Sequence, residues 1–290
     1  MEICRICIEV RAADIHFPGL TGAMCGRTTG MGKRKARMKT VLITGATSGI
    51  GMEFARALAS EGYGLILTGR RTERLLALKD ELNTDCRIIT ADLADEAQCR
   101  KLLEDVADTE IDVFINNAGF GAVGSFLETD LDKEITMIRV NDVAMHILFK
   151  GILQRMHARG GGAILNVASS AGLLPGGPYM AAYYASKSYV VSLTKAVATE
   201  LREQGSKVYV GCLCPGPVDT EFNRVADVVF SLKGISARQC VAECLAGMKQ
   251  RKTVIVPTAK MKLAVFFGRF VPDKLMLKIT AGQQKKKYSN

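Results

Sequence analysis

The sequence predicts a single doubly wound α/β domain, with a central parallel sheet of about seven strands and helices on both faces. From Thr40 onward, short runs rich in β-branched residues alternate with longer amphipathic segments. The short runs are apolar almost throughout, which is typical of parallel strands that are covered on both faces. A glycine-rich turn also joins the first run to the first amphipathic segment, a common strand-to-helix connection in such domains.

Local composition predicts each element in order. Seven segments have the length and composition of strands: Thr40–Thr44, Gly64–Thr68, Arg87–Thr90, Val113–Asn116, Ala163–Ala168, Val208–Leu213 and Thr253–Val256. Five segments between them have the length of helices: Glu53–Ser60, Thr72–Leu82, Asp95–Ala107, Leu131–Met156 and Ala182–Arg202. Because strands alternate with helical crossovers, we expect the strands to run parallel.

The two ends of the chain differ from its centre in charge. The net charge is +10, but residues 1–37 and 247–290 together hold 18 of the 39 Lys and Arg and only 4 of the 29 Asp and Glu. The centre has no basic surplus to follow a phosphate backbone, so we expect no binding to nucleic acid. No apolar run reaches the roughly 18 residues that a membrane-spanning helix needs.

These differences suggest boundaries. We expect residues 1–37 to lie outside the domain, as a basic extension or as a segment before a translation start at Met38. The folded domain is predicted over 38–257, and an amphipathic basic helix and tail over 258–290. Nine scattered Cys indicate a reducing, cytoplasmic compartment. The C-x-x-C of Cys4 and Cys7 fits none of the common zinc patterns, and no metal is predicted.

The glycine-rich turn has the chemistry of a phosphate-binding site. It reads Thr44-Gly45-Ala46-Thr47-Ser48-Gly49-Ile50-Gly51 and leads from a strand into a helix. Glycines let the backbone approach a pyrophosphate, and the helix N-terminus offers free N–H groups and the positive end of a dipole. A dinucleotide is therefore the expected ligand, held by Gly45, Thr47, Ser48, Gly49, Ile50 and Gly51.

The end of the second strand distinguishes between NAD and NADP. An acidic residue about 20 positions after the last glycine would bind the ribose 2′-hydroxyl of NAD. This sequence instead has Arg70 and Arg71, whose guanidinium groups can pair with a 2′-phosphate. NADP(H) is therefore the predicted cofactor. The alternative is that the two arginines only cap structure on the solvent side.

The G-x-x-x-G-x-G spacing of the turn, the Asn116-Asn117-Ala118-Gly119 segment and the Tyr-x-x-x-Lys motif at Tyr183 occur in this order. Together they resemble the NADP-preferring subgroup of the short-chain dehydrogenase/reductase family over roughly residues 38–257. The resemblance implies a Rossmann-type fold. It also implies further cofactor contacts at the adenine, along the fourth strand and at the nicotinamide: Asp92, Leu93, Asn117, Ala118, Gly119, Pro215, Gly216, Val218 and Thr220.

Tyr183 and Lys187 lie four residues apart near the start of a predicted long helix, so one helix face carries both. A free tyrosine has a pKa near ~10, and we expect Lys187 and a nicotinamide cation to lower the pKa of Tyr183. The phenol can then exchange a proton with an alcohol or carbonyl as hydride moves. By resemblance, Lys187 also binds the nicotinamide ribose. Tyr184 is interpreted as a packing or pocket residue.

Two further catalytic positions come from the resemblance. It implies a serine that hydrogen-bonds the substrate oxygen, and both Ser169 and Ser170 follow the fifth strand. The Ser-x-Ala-Gly register favours Ser169, whereas Ser170 stands thirteen residues before the tyrosine, the family's usual separation. We prefer Ser169, with the extra residue within 175–178. Asn141 matches the family's fourth catalytic member, which holds a water for proton relay. The alternative is a polar residue bonded locally within its helix.

Two segments bear on the substrate. Residues 218–235 are predicted to form a mobile lid with an apolar lining, because the segment after the sixth strand faces the crevice in this fold. After the last strand, four apolar residues share one helical face: Leu263, Phe266, Phe267 and Phe270. We interpret this stripe as core or dimer interface. The alternative is a peripheral membrane contact through 260–281, with basic residues facing anionic lipid.

The predicted function is NADP(H)-dependent interconversion of a ketone or aldehyde and an alcohol by hydride transfer, with Tyr183 as acid and base. We expect a small-molecule substrate and a homodimer or homotetramer. Two alternatives are open: a lipid-specific reductase of 3-oxoacyl or steroid type at a membrane surface, and a non-catalytic NADP-binding sensor. A degenerate sensor would be expected to lack the tyrosine, lysine or serine, and this sequence keeps them.

Overall fold

A computed structural model describes residues 37–220 and 234–288, with side chains as far as Lys285. Seven strands form one parallel sheet: β1 (Thr40–Thr44), β2 (Gly64–Gly69), β3 (Cys86–Thr90), β4 (Ile111–Asn116), β5 (Ala163–Val167), β6 (Tyr209–Leu213) and β9 (Val254–Ile255). A short parallel pair, β7 (Val218–Asp219) and β8 (Ile235–Ser236), lies apart from it. The sheet order is β3-β2-β1-β4-β5-β6-β9, which confirms the predicted doubly wound α/β class.

Helices cover both faces of this sheet: α1 (Gly49–Ser60), α2 (Thr72–Glu81), α3 (Glu96–Asp105), α4 (Leu131–Ile138), α5 (Met145–Arg159), α6 (Ala181–Glu203), α7 (Ala237–Lys249), α8 (Ala259–Gly268) and α9 (Asp273–Tyr288). Successive residues of β1 point to opposite faces, so Ile43 packs in one core with Phe54 of α1, and Leu42 packs in the other with Leu148 of α5. Burial on both faces explains why the strands are apolar throughout.

The predicted helix over Leu131–Met156 is interrupted. A π-helical segment over Arg139–Ala144 separates α4 from α5. A π-helix holds more residues per turn than an α-helix, and such segments are frequent at functional sites. This one contains Asn141.

The described part of 258–290, which was expected to form an amphipathic basic helix and a tail, contains two helices, α8 and α9, with a break at 269–272. Pro272 has no backbone N–H, so it cannot continue the hydrogen-bond ladder of α8, but it is tolerated at a helix start. The stripe on α8 is also not core. Phe267 and Phe270 are 60% and 73% exposed, whereas Val265 on the opposite face is buried.

The predicted N-terminal extension and the predicted lid fall largely outside the described residues. The residues outside are 1–36, which include Cys4 and Cys7, and 221–233 of the lid. Arg37 contacts the domain: its guanidinium donates to both carboxylate oxygens of Asp112, at 2.8 and 2.9 Å.

The described cysteines are buried and free: Cys86, Cys99, Cys212, Cys214, Cys240 and Cys244. Over the described ranges, none of the helices combines the length and apolarity required to cross a membrane.

Candidate active site

A cavity of about 630 Å³ lies at the carboxyl edge of the sheet, where the strand order reverses between β1 and β4. Ligands of doubly wound domains bind at such a reversal. Most of the predicted site residues line this one cavity: Gly45, Thr47, Ser48, Gly49, Ile50, Arg70, Arg71, Asp92, Leu93, Asn117, Ala118, Gly119, Ser169, Ser170, Tyr183, Lys187, Pro215, Gly216, Val218 and Thr220. Gly51 and Asn141 are not among its lining residues.

The glycine turn is held to the end of β4 by four hydrogen bonds. The Thr44 hydroxyl accepts from the backbone N–H groups of Asn117 and Ala118, at 2.9 and 3.0 Å. The Asn117 side chain donates to the carbonyls of Thr44 and Gly45, at 2.9 and 3.2 Å. Because its amide is bound to the turn, Asn117 shapes the cavity through the backbone that it holds.

The turn forms a cradle that suits a dinucleotide. Gly45 and Gly49 have positive φ angles of 65° and 55°, which favour glycine. Ser48 precedes α1 and, within the described chain, its side chain makes no capping hydrogen bond. The first N–H groups of a helix are available to phosphate oxygens, and their dipole favours negative charge. Thr220 reaches this turn, since a Cβ on Gly49 would lie 3.1 Å from the Thr220 Cβ.

The two arginines after β2 have different surroundings. The Arg71 guanidinium donates to the Thr47 hydroxyl at 3.1 Å and to the Thr47 carbonyl at 3.3 Å, so it braces the glycine turn. Arg70 is exposed at the rim of the cavity. Asp92 accepts from the N–H of Ala94 at 3.1 Å, so its carboxylate shapes the turn after β3.

Tyr183 and Lys187 are both buried on α6, at 8% and 5% exposure. The ammonium nitrogen of Lys187 lies 5.9 Å from the centroid of the Tyr183 ring and donates to the carbonyl of Val167 at 3.2 Å. Burial lowers the pKa of Lys187 to about 8, although the nearby charge of Asp142 raises it in part. The lysine is thus a buried cation that gives up its proton unusually easily.

The expected lowering of the pKa of Tyr183 involves a nicotinamide cation as well as Lys187, and the residues of the chain alone have the opposite effect. Burial raises the pKa of Tyr183 to about 12, and the hydrogen bond with the side chain of Ser169 lowers it only in part. Desolvation penalises the phenolate more than this hydrogen bond favours it. The chain alone therefore keeps Tyr183 protonated.

The two candidate serines differ in what they contact. The Ser169 side chain hydrogen-bonds Tyr183, and its hydroxyl also accepts from the N–H of Ala171 at 3.1 Å. Ser170 instead donates its backbone N–H to the carbonyl of Pro215 at 2.8 Å, which joins this loop to the segment after β6. Both line the cavity, but Ser169 is the one in contact with the tyrosine.

Asn141 is bonded over long range, so the alternative of a locally bonded helix residue does not describe it. Its amide donates to the carbonyl of Phe120 at 2.9 Å and to the Ser186 hydroxyl at 3.0 Å, and its oxygen accepts from the N–H of Phe120 at 3.0 Å. A Cβ on Gly119 would lie 2.9 Å from the Asn141 oxygen and 3.1 Å from the Lys187 ammonium. The missing side chain at Gly119 lets the backbone run between the two.

Sequence reasoning missed one wall of the cavity. Eight residues of α8 and α9 line it: Met261, Ala264, Val265, Met276, Ile279, Thr280, Gln283 and Gln284. The described part of 258–288 is therefore a wall of the same domain. A four-residue repeat at Met276, Thr280 and Gln284 was a readable signal, but two of these residues are polar, and a search for apolar faces passes over them.

The comparison with known proteins agrees with this geometry. The family model described as short chain dehydrogenase matches residues 39–227. The chain belongs to the short-chain dehydrogenase/reductase family. Members of this family interconvert alcohol and carbonyl groups with a nicotinamide cofactor. Membership therefore makes this chain an oxidoreductase of that class with a nicotinamide cofactor.

Three relatives give the scale of the likeness. "Dehydrogenase/reductase SDR family member 6" of Aquarana catesbeiana is 34% identical over 219 residues, which is 72% of this chain and 86% of that protein. A short-chain dehydrogenase from Sphingobium yanoikuyae, solved in complex with NADPH, has a TM-score of 0.73 and 30% identity over 80% of this chain and 94% of its own. A Burkholderia phymatum member solved with NAD has a TM-score of 0.72 and 26% identity, covering 79% and 92%.

The lowered pKa of Lys187 predicts how its replacement affects stability. Below pH 8 the lysine is charged in both the folded and unfolded states, and its burial costs folding free energy. Lys187→Met should therefore raise the free energy of unfolding at pH 7. The change that it causes at pH 7 should exceed the change that it causes near pH 10 by about 1–3 kcal/mol. The gain should shrink as pH rises through 8, because the folded wild type then sheds the proton.

Thermal unfolding at pH 7, 8.5 and 10 measures this difference. Asp142 is a titratable neighbour, because burial raises its pKa to about 6 and the charge of Lys187 lowers it in part, so the same comparison in an Asp142→Asn background removes its contribution. The exposed Lys195 of the same helix offers a matched control, Lys195→Met, for which the change in Tm should not depend on pH. If the Lys187→Met difference in Tm were the same at all three pH values, Lys187 would not be titrating below its ordinary range.

Proposed function

We propose that this chain is an NADP(H)-dependent oxidoreductase that interconverts a ketone or aldehyde and an alcohol, with Tyr183 as the acid and base. The observation that carries this proposal is the cluster of Tyr183, Ser169 and Lys187 in the same cavity as the glycine turn. A group that carries a proton, a hydroxyl that orients it and a phosphate cradle within one cavity are the parts that carbonyl reduction needs.

In the direction of reduction, the hydroxyls of Tyr183 and Ser169 bind the carbonyl oxygen of the substrate. The bound cofactor supplies the hydride when it is in the reduced form. Because burial keeps the pKa of Tyr183 at about 12, the phenol is protonated at neutral pH and can donate its proton to the oxygen. The reverse reaction needs the phenolate, which a positive charge from Lys187 and from an oxidised nicotinamide would favour.

Lys187 and Asn141 would act on either side of Gly119. Lys187 would hydrogen-bond the nicotinamide ribose and keep its charge near the phenol. Asn141 would act as a positioning residue, since both of its Phe120 hydrogen bonds fix the backbone next to Gly119. The family's water-holding role for Asn141 is part of this proposal. The other cofactor contacts would be those predicted from the sequence, at Asp92, Leu93 and the segment 215–220.

The preference for NADP(H) rests on charge. Arg70 is exposed at the rim of the cavity, directly after β2, and no acidic residue stands between Leu67 and Arg71 to bind a 2′-hydroxyl. A guanidinium forms short, charge-assisted hydrogen bonds with phosphate. Reduction is then the favoured direction in the cell if the NADPH pool is reduced.

A carbonyl-substrate panel with NADPH, and with NADH as the comparison, tests the function. We expect loss of absorbance at 340 nm with NADPH, at a kcat/KM at least about tenfold above that with NADH. Tyr183→Phe should lower kcat/KM by about 10²–10⁴-fold, because it removes the proton donor. Tyr189→Phe, a surface tyrosine of the same helix, is the matched control. Equal turnover by Tyr183→Phe would contradict the proposed role.

Arg70→Gln tests the cofactor argument. The NADPH preference should fall by about tenfold or more, since hydrogen bonds to charged groups contribute about 1.5–3 kcal/mol. The change should appear in the KM for NADPH, with kcat nearly constant. Arg100→Gln makes the same substitution on the surface of α3 and should leave the preference unaltered. Equal use of NADH by the wild type would refute the Arg70 assignment.

The choice between the two serines is tested by replacing each with alanine. We propose that Ser169 contacts the substrate oxygen, supported by its hydrogen bond with Tyr183. Ser169→Ala should lower kcat by about 10²-fold or more, by loss of a donor to the developing oxyanion. Ser170→Ala should retain most of the activity, because its backbone makes the contact to Pro215. An unaffected rate in Ser169→Ala would assign the role to Ser170.

A second candidate is a lipid-type reductase at a membrane surface, favoured by the exposed aromatic side chains of α8 and of the turn that follows it. Phe266, Phe267 and Phe270 form an aromatic cluster with centroid distances of 5.4 and 5.5 Å, and each is more than half exposed. Residues 247–290 carry eleven Lys and Arg and one acid. A basic surface with exposed aromatic side chains suits an anionic bilayer. Alternatively, the same face would form the subunit interface of the predicted homodimer or homotetramer.

Vesicle co-sedimentation distinguishes these uses. The full chain should bind vesicles that contain phosphatidylserine more strongly than vesicles of phosphatidylcholine alone. The triple variant Phe266→Ser, Phe267→Ser and Phe270→Ser should lose at least about tenfold in partitioning, since each buried Phe contributes about 1.5–3 kcal/mol. Phe126→Ser, at another exposed phenylalanine, is the control. Unchanged partitioning with a loss of oligomer would assign the face to a dimer interface.

A further inference from the structure

The C-terminal helix α9 brings a polar side chain into the substrate part of the cavity. Gln284 is 3% exposed and lines the cavity. Its amide nitrogen donates to the hydroxyl of Tyr184 at 2.7 Å, across a separation of 100 residues. Tyr184 follows the proposed acid and base directly, and the rings of Tyr183 and Tyr184 meet edge to face at 6.4 Å between centroids. The polar pair therefore lies beside the reacting group.

This pair has hydrogen-bonding capacity to spare. The Gln284 side-chain oxygen is buried and has no hydrogen-bond partner among the described residues. Leaving a buried acceptor unpaired costs folding free energy, because the group has lost its hydrogen bonds to water. If the Gln284 amide is flipped, the Tyr184 hydroxyl donates to the side-chain oxygen, and the NH₂ group is then the one without a partner. In either orientation one end of the amide is left for a third group.

The surroundings of the pair are otherwise largely apolar. The cavity is lined near α8 and α9 by Val265, Met276 and Ile279, and from the loop after β5 by Leu174 and Met180. Two polar neighbours on α9 also line the cavity: Gln283 is exposed, and the Thr280 hydroxyl already donates to the carbonyls of its own helix, at 3.1 Å each. A ligand in this region would meet apolar walls with a local hydrogen-bonding group at Gln284.

The position of Gln284 is supported from outside the helix. The segment 175–180 packs against α9: Leu277 lies 3.2 Å from where a Cβ on Gly176 would be, and the Lys285 ammonium lies 5.4 Å from the Tyr179 ring centroid. The same segment holds Tyr184, because the Tyr184 ring lies directly against Gly177 and leaves no space for a Cβ there. One loop therefore fixes both members of the polar pair.

We propose that Gln284, oriented by Tyr184, is a specificity-determining residue that binds a hydroxyl group on an otherwise apolar carbonyl substrate. A hydroxyl is the group of choice because it both donates and accepts, so it satisfies the amide in either orientation. The apolar walls take up the carbon skeleton. The substrate class is thus a hydroxylated ketone, or the corresponding diol in the reverse direction. This inference rests on the proposed carbonyl reduction and adds the substrate class to it.

Matched bicyclic ketones test the inference on the full chain: 1-tetralone and its 5-, 6- and 7-hydroxy derivatives, with NADPH. The wild type should prefer at least one hydroxylated ketone over the parent by about tenfold or more in kcat/KM, because a site built for a hydroxyl discriminates against the analogue that lacks it. Gln284→Leu, of similar size, should lower this ratio about tenfold. Most of the change should appear in KM for the hydroxylated ketone.

Two further variants control for indirect effects. Tyr184→Phe removes the partner that orients the amide, so it should lower the same ratio, by less than Gln284→Leu does. Gln250→Leu makes the identical substitution at an exposed position after α7 and should leave the ratio unaltered. Thermal unfolding shows whether each variant folds, and only folded variants enter the comparison.

The outcomes separate the two proposals. Reduction of the tetralones with no preference for any hydroxylated one, or an unchanged ratio in Gln284→Leu, overturns the role of Gln284 and leaves carbonyl reduction standing. A wild type that oxidises NADPH with none of the ketones in this set or in the wider carbonyl panel overturns the proposed function itself.

Discussion

The hydrogen bonds between Thr44 and the segment after β4 are the contacts on which the rest of the site depends. They join the end of β1 to the neighbouring strand at the point where the sheet order reverses. Asn117 completes this joint by holding the first carbonyls of the glycine turn. The glycine turn and the backbone at Gly119 are thereby fixed to each other, and Gly119 in turn lies against Asn141 and Lys187.

Burial then sets the proton chemistry at this edge. The same desolvation acts in opposite directions on the two groups of α6: it lowers the pKa of Lys187 to about 8 and raises that of Tyr183 to about 12. Both shifts favour the neutral form, as expected where charge leaves water. The chain by itself therefore keeps Tyr183 in its protonated form at neutral pH.

The C-terminal helices combine two roles on opposite faces. One face of α8 and α9 lines the cavity with Val265, Met276 and Gln284, and the outer side of α8 and of the turn after it exposes an aromatic cluster. Pro272 separates the helices, which lets each present its own residues to the site.

The sequence by itself determined the class of fold, the positions of the seven strands and the order of the motifs, because these depend on short-range periodicity and on glycine at a strand-to-helix turn. Only the tertiary structure decided the partners of Asn141, the contact between Ser169 and Tyr183, and the place of Gln284. These depend on residues distant in sequence and on burial, neither of which leaves a local pattern. The pKa of Tyr183 in the chain alone depends on the same assembly, because burial within the fold raises it to about 12 and no local pattern shows that burial.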